Sequence, residues 1–218
     1  MPENMIKKIR FRYSRGEELK YISHLDLMRL WPRAFRRAGL NMAYSEGFNA
    51  HPRLAVAAPL AVGWTSEAEL MEAWLDNPPA VSMVLGLLAA KLPAGLTVAE
   101  AAALPQESPS LQSLVRFAEY RVILDDGRSA EEIREAVDRL LDLSTLEWSH
   151  RRENATRTYD LRAQIDDIEL LNFQPAGVVL RMRLKNDPSG SGRPEQVAAA
   201  LGFADKPLSI HRTRLVLA

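Results

Sequence analysis

No cysteine occurs among the 218 residues. Disulfide scaffolds, Cys-ligated zinc, thiol nucleophiles and Cys-held iron–sulfur clusters are therefore excluded. The absence of disulfides fits a reducing cytoplasm. Long apolar runs are missing too: nothing approaches the roughly 18 uninterrupted apolar residues of a membrane span. The N-terminus passes straight into Lys7, Lys8 and Arg10 without an apolar signal core, so the expectation is a cytoplasmic protein that starts here and has no membrane partner. Gly-rich phosphate loops, nucleophile elbows, Walker patterns and zinc-finger spacings are also absent. What is present is 47% hydrophobic residues, which makes disorder untenable over a length that suits one large domain or two small ones.

Net charge is zero, with 28 Lys plus Arg against 28 Asp plus Glu. The balance is uneven along the chain, however. Met1–Leu60 holds 11 basic and 5 acidic side chains, Ala61–Asp142 holds 6 and 14, and the remainder 11 and 9. A polyanion would be attracted to the first third and repelled by the middle.

Hydrophobic periodicity divides the chain in two. In Ile6–Tyr13, Ile9, Phe11 and Tyr13 alternate with Lys8, Arg10 and Arg12, as in a half-buried strand with one basic face. Ser23 opens a helical pattern through Leu27, Leu30, Trp31, Ala34 and Ala38 that ends near Gly39. Pro32 within it predicts a kink or restart. Leu54–Leu60 and Glu67–Leu75 read as strands, Val81–Leu92 as a buried helix and Leu96–Ala103 as a strand. A Pro- and Ser-rich joint, Leu104–Ser110, precedes a second pass. It comprises a strand at Tyr120–Leu124, a helix to Leu141 opened by Ser129 and Glu132, and extended chain at Leu146–His150. A strand at Gly177–Lys185, a helix at Pro194–Leu201 and a strand at Leu208–Leu217 complete it. Val178, Leu180, Met182 and Leu184 alternate there with Val179, Arg181, Arg183 and Lys185, a second basic strand face. The expectation is an α+β protein of two tandem ferredoxin-like βαββαβ modules, 1–104 and 111–218, with antiparallel sheets packed together and open sheet faces free for contact. The second module carries an insertion near 151–173, a loop or hairpin.

Special residues concentrate in Ser23-His24-Leu25-Asp26 and in Tyr44–Arg53. Ser23 and Asp26 have the spacing of a helix cap. His24, in the first helical turn, is either a locally bonded side chain or a base. Gly47, Asn49 and Pro52 mark a turn-rich loop, in which Phe48 is either a core anchor or a platform on which a nucleobase stacks. His51 and Arg53 stand at the entry to the next strand, within reach of a phosphate or of solvent. His24, Asp26, Glu46 and His51 are potential metal ligands, but His24 and Asp26 point to different faces of a helix, and neither a metal nor a cofactor is expected. Arg29, Arg33 and Arg36, with Arg37 beside them, form a stripe suited to tracking phosphates or to solvation alone. The candidate nucleic-acid contacts are therefore Arg10, Arg12, His24, Arg29, Arg33, Arg36, Arg37, Tyr44, Ser45, Phe48, Asn49, His51 and Arg53. They are expected to share one continuous exterior patch.

Tyr21–Arg29 (YISHLDLMR), Ala34–Leu40 (AFRRAGL) and Tyr44–Arg53 (YSEGFNAHPR) closely resemble the radical SAM-linked protein family, a bacterial domain of unknown function. The likeness continues through Pro59-Leu60, Gly63 and Ser66-Glu67, and more weakly through Ser108–Leu111 and Tyr120. It implies a companion of radical SAM enzymes, fused to them or encoded alongside, with ties to RNA metabolism. A chain with no cysteine cannot hold the cluster of such an enzyme. The reading is an RNA-binding accessory protein with a separate radical SAM enzyme and RNA as partners. It is non-catalytic, and its oligomeric state is open. The alternatives are a metal-independent RNA endonuclease using His24 near Tyr44 or Ser45, and a protein-docking domain that meets the radical SAM partner through Glu67–Asp76 and Asp125–Asp142.

Overall fold

The computed structural model describes residues 5–125, 127–152, 155–175 and 177–218. Asp126 of the acidic stretch, and Glu153 and Asn154 of the expected insertion, lie outside the described residues. The chain is mixed α+β and divides into two compact units, residues 1–115 and 116–218. Among the described residues no helix is long and apolar enough to cross a membrane.

The first unit runs β1 (Ile6–Arg15), α1 (His24–Arg37), β2 (Leu54–Val56), β3 (Thr65–Asp76), α2 (Val81–Ala89), β4 (Leu96–Leu104) and α3 (Leu111–Leu114). Its strands lie in the order β4-β1-β3-β2, each neighbouring pair antiparallel. Alternation on β1 sends Ile9, Phe11 and Tyr13 to one side, where they meet Leu27, Trp31, Ala34 and Phe35 of α1 and Val84 and Leu88 of α2. Ring contacts fix this layer: Phe11–Phe35 at 5.7 Å and Tyr13–Trp31 at 5.0 Å between centroids, both edge-to-face. Ser23 caps α1, its Oγ accepting from the Asp26 N–H at 3.1 Å. The helix then runs unbroken through Pro32, because packed neighbours on both sides of the proline outweigh one missing hydrogen bond. Gly39 ends it at φ +69°. The Leu40 N–H donates to the Phe35 carbonyl and the Gly39 N–H to that of Arg36, a Schellman closure.

The far face of this sheet is covered at its Lys8 end. Lys8 is 2% exposed and Glu72 not at all. The segment expected to be a joint crosses this face as a strap: Lys8 Nζ donates to the carbonyls of Ser108 (3.2 Å) and Pro109 (3.4 Å), and Gln112 Nε2 to that of Val56 (2.8 Å). Leu111 is fully buried. Residues 105–114 therefore belong to the first unit rather than linking two modules. Beyond Leu54–Val56 the expected strand to Leu60 gives way to a turn, held by Arg15. That buried side chain donates to the carbonyls of Ala61 and Trp64.

The second unit runs β5 (Val115–Leu124), α4 (Ala130–Asp142), β6 (Glu147–Arg152), β7 (Ala155–Asp160), β8 (Ile165–Gln174), β9 (Gly177–Asp187), β10 (Gly190–Ser191), α5 (Pro194–Ala200) and β11 (Ser209–Leu217). β9 has β5 on one edge and β8 and β10 on the other, and β11 follows β5. A full capping box at Ser129 and Glu132 starts α4. The inserted element is the hairpin β6–β7, which among the described residues pairs only with itself, so the extended chain at Leu146–His150 opens that hairpin rather than joining the sheet. The sheet strand is β8, inside the segment expected as an insertion. Its alternation is broken by register shifts between Ile165 and Asp167 and between Leu170 and Asn172, so its buried residues Ile165 and Ile168 stand three apart and hide the period of two.

Candidate nucleic-acid interface

On α1 the apolar residues take the inner face, which leaves Arg29, Arg33, Arg36 and Arg37 exposed along the outer one. Among the described residues Asp26 is the one carboxylate in contact with this row, 3.6 Å from Arg29. Two depressions flank the helix. One, of about 420 Å³, is lined by Asp26, Arg29, Leu30, Arg33, Arg37 and Pro93; the other, of about 270 Å³, by Pro32, Arg36, Leu40, Asn41, Met42 and Tyr44. Arg37 is steadied by donation to the Lys91 carbonyl at 3.0 Å. The forks of these arginines therefore face solvent at helical spacing, with a concave surface on either side.

Tyr44 carries this surface into the loop. A bridge between Tyr44 and Pro52, and donation from the Ser45 N–H to the His51 carbonyl at 2.9 Å, close the loop's neck. The Ser45 hydroxyl lies 3.0 Å from His51 Nδ1 and accepts from the His51 N–H at 3.1 Å; His51 Nδ1 also lies 3.3 Å from the Asn49 carbonyl oxygen. Ser45 and His51 thus act as a clasp, and Gly47 supplies φ +107° at the turn. Phe48 projects from the tip at 106% exposure, and Tyr44 is 51% exposed at the base. The core-anchor reading of Phe48 is therefore wrong. The clasp holds the loop without it, which frees the ring for an external contact.

The expected single patch is split. Arg10 and Arg12 lie on the far face of the sheet from α1, because they alternate with the core residues of β1. Arg10 is also neutralised: its Nη2 and Nε donate to Glu72 Oε1 at 2.7 and 3.1 Å, while Lys8 Nζ holds Oε2 at 3.0 Å. Arg12 pairs with Glu100 at 2.9 Å. Arg53 sits with its guanidinium 4.8 Å from the Trp74 ring, which Lys8 also approaches, at 5.3 Å. The basic strand of the second unit is balanced in the same way: Arg181 bonds Asp167 and Glu169, and Arg183 forms an ion pair with Asp166. The Glu169 hydrogen bond, aided by Asp167, raises the Arg181 pKa further above its ordinary value. Glu69 and Glu72 are buried, so Glu67–Asp76 is no acidic docking surface.

His24 is half-buried at the first turn of α1. Among the described residues its side chain has no hydrogen-bond partner, and neither Tyr44 nor Ser45 is joined to it. The acid–base grouping of an endonuclease is not assembled around it. No group of three or more His, Asp or Glu able to hold a metal occurs among the described residues. The residues that sequence reasoning missed are Glu72, Trp74 and the burial of Lys8. Their signal was the alternation of Leu70, Glu72 and Trp74 against Met71, Ala73 and Leu75 on β3, which places a carboxylate on the same face as the β1 cations.

A family described as an uncharacterized protein conserved in bacteria (DUF2344) matches residues 8–194. None of the curated proteins matches the sequence. Among solved structures, a chain of a Cbf5-Nop10-Gar1 complex is similar over 96% of this chain and 48% of its own, at 12% identity and a TM-score of 0.51. A chain of an archaeal box H/ACA sRNP Nop10-Cbf5 complex is similar over the same shares at 15% identity and 0.46. A chain of an H/ACA RNP bound to a substrate RNA containing 2'-deoxyuridine is similar over 96% and 47%, at 13% identity and 0.46. The chain spans about half the length of these solved chains, and the first likeness is one of fold alone.

Proposed function

Because the chain belongs to DUF2344, a bacterial family whose description names no reaction, we propose from its surface that it is an RNA-binding accessory protein. It holds unpaired RNA for a separate radical SAM enzyme in the cytoplasm. The observation that carries this is the outer face of α1, where four arginines stand against one contacting carboxylate among the described residues, beside a clasped loop that presents Phe48. Arginine forks hold the phosphates, and the exposed rings of Phe48 and Tyr44 take bases, which must be unstacked to reach them. His24, Ser45, Asn49 and His51 border or shape this surface. Arg10, Arg12 and Arg53 do not belong to it.

The radical SAM partner rests on the resemblance of the Tyr21–Arg29, Ala34–Leu40 and Tyr44–Arg53 segments, all three of which contribute to this same surface. The reading of each unit as a ferredoxin-like module is supported by the strand order β4-β1-β3-β2 of the first and the corresponding β11-β5-β9-β8 of the second. Filter binding of single-stranded and duplex RNA, with the wild type and an Arg33→Glu/Arg36→Glu variant, tests the proposal. The expected result is preference for the single strand and weakened binding by the variant. Absent or salt-independent binding overturns it.

A further inference from the structure

The second unit carries a different kind of surface. Between α4, the end of α5 and the start of β6 lies an open groove of about 440 Å³, walled by Ala136, Leu140, Leu143, Trp148, Ala200 and Leu201. Its long wall is a helical stripe, in which Ala136, Leu140 and Leu143 recur at i, i+4 and i+7. Leu143 is 42% exposed and Trp148 half-buried, so large apolar side chains face water along the groove. An apolar groove between two helices has the shape to receive the apolar face of a third.

The α4 flank of the groove is mostly acidic. At 3.6 residues per turn, Glu132, Glu135 and Asp142 fall beside this stripe on its solvent flank, and all three are exposed. Ser129 anchors Glu132 through its N–H and hydroxyl, at 2.7 and 2.8 Å. Glu135 meets Arg139, the one cation lining the groove among the described residues, at 3.4 Å. Asp142 has no ion pair among the described residues.

We propose that this groove docks an amphipathic helix of a partner protein, its apolar residues at i and i+3 or i+4 spacing seated between α4 and α5 and its Lys or Arg residues alongside Glu135 and Asp142. The rim selects the occupant. Carboxylates along one flank repel the phosphates of RNA and of anionic lipid, whereas a cationic polypeptide gains on approach and in register. The inference goes beyond RNA binding, which the first unit carries on its own residues.

The test titrates the full chain with two labelled helical peptides of about 18 residues, long enough to hold a helix in water. Both carry the same Leu stripe, one flanked by Lys and the other by Glu. The Lys-flanked peptide is expected to bind saturably, about tenfold or more tighter than the Glu-flanked one, with amide NMR shifts confined to α4, α5 and the residues around Trp148. Ala200→Trp, which fills the groove, abolishes binding. Glu135→Lys with Asp142→Lys, both at exposed sites that leave the fold intact by circular dichroism, reverses the preference. Equal affinities, no saturable binding of the Lys-flanked peptide, a preference that survives charge reversal, or displacement of the peptide by RNA would each overturn the proposal.

Discussion

Replacing Arg33 and Arg36 together by Glu perturbs the α1 surface where it is most exposed and least connected. Neither side chain has an ion-pair partner among the described residues, so each substitution should change folding stability by no more than about 0.5 kcal/mol. Four arginines on one helix face can displace about four counterions from a single strand. With a slope of about −0.7 per phosphate contact, log affinity should fall against log salt with a slope near −3, a loss of about 50-fold between 50 and 200 mM. Removing two contacts should halve the slope, so that the same salt step costs about sevenfold. Arg12→Glu is the control, because Arg12 is tied to Glu100 on the opposite face of the sheet; its slope should match the wild type. The assay is filter binding of an unstructured oligonucleotide at several salt concentrations, with thermal melts alongside. Parallel log–log lines for the wild type and the double variant, or an Arg12→Glu slope that falls as far as theirs, would refute the assignment of the α1 face.

Other expectations concern single residues. Phe48→Ala should leave the melting temperature unchanged, since the ring touches water alone, but should weaken binding to unpaired RNA by about 1–3 kcal/mol, read by fluorescence anisotropy. Glu72→Gln keeps the shape but leaves Lys8 buried without its counter-charge; chemical denaturation should show a loss of about 3–5 kcal/mol. Gly177 stands at φ +134°, and a Cβ there would come within 2.1 Å of the Leu124 carbonyl oxygen. Gly177→Ala should therefore cost at least about 1–3 kcal/mol by the same measurement. Hydrogen bonds from the Ser189 hydroxyl and N–H, with Lys185 nearby, hold the Asp187 carboxyl below its ordinary value. A carboxyl depressed by folding contributes stability above its unfolded pKa and loses it as pH falls through the folded value. Asp187→Asn should accordingly be less stable than the wild type at neutral pH and converge with it in acid below about pH 4, as followed by melts across pH.

Much of the fold can be read from local pattern. Ser23, Gly39 and the Ser129–Glu132 box mark helix ends through chemistry confined to a few residues, and the alternation of Ile9, Phe11 and Tyr13 settles which face of β1 is core. The arginine row on α1 is legible for the same reason, since helical spacing alone puts Arg29, Arg33 and Arg36 on one side. β8 was hidden because bulges disrupt the period by which a strand is recognised.

Taken alone, then, the residues determine the main strands and helices of the first unit, the caps and the inward faces, because each depends on neighbours within a turn or two of chain. Tertiary structure alone decided that Arg10 is neutralised by a carboxylate 62 positions away, that residues 105–114 strap the sheet, and that Phe48 stands in water while Ser45 and His51 hold its loop. Those outcomes follow from strand register and from which distant groups share a face, and the free energy of an ion pair or of an exposed ring is set by what lies across the gap rather than by what lies along the chain.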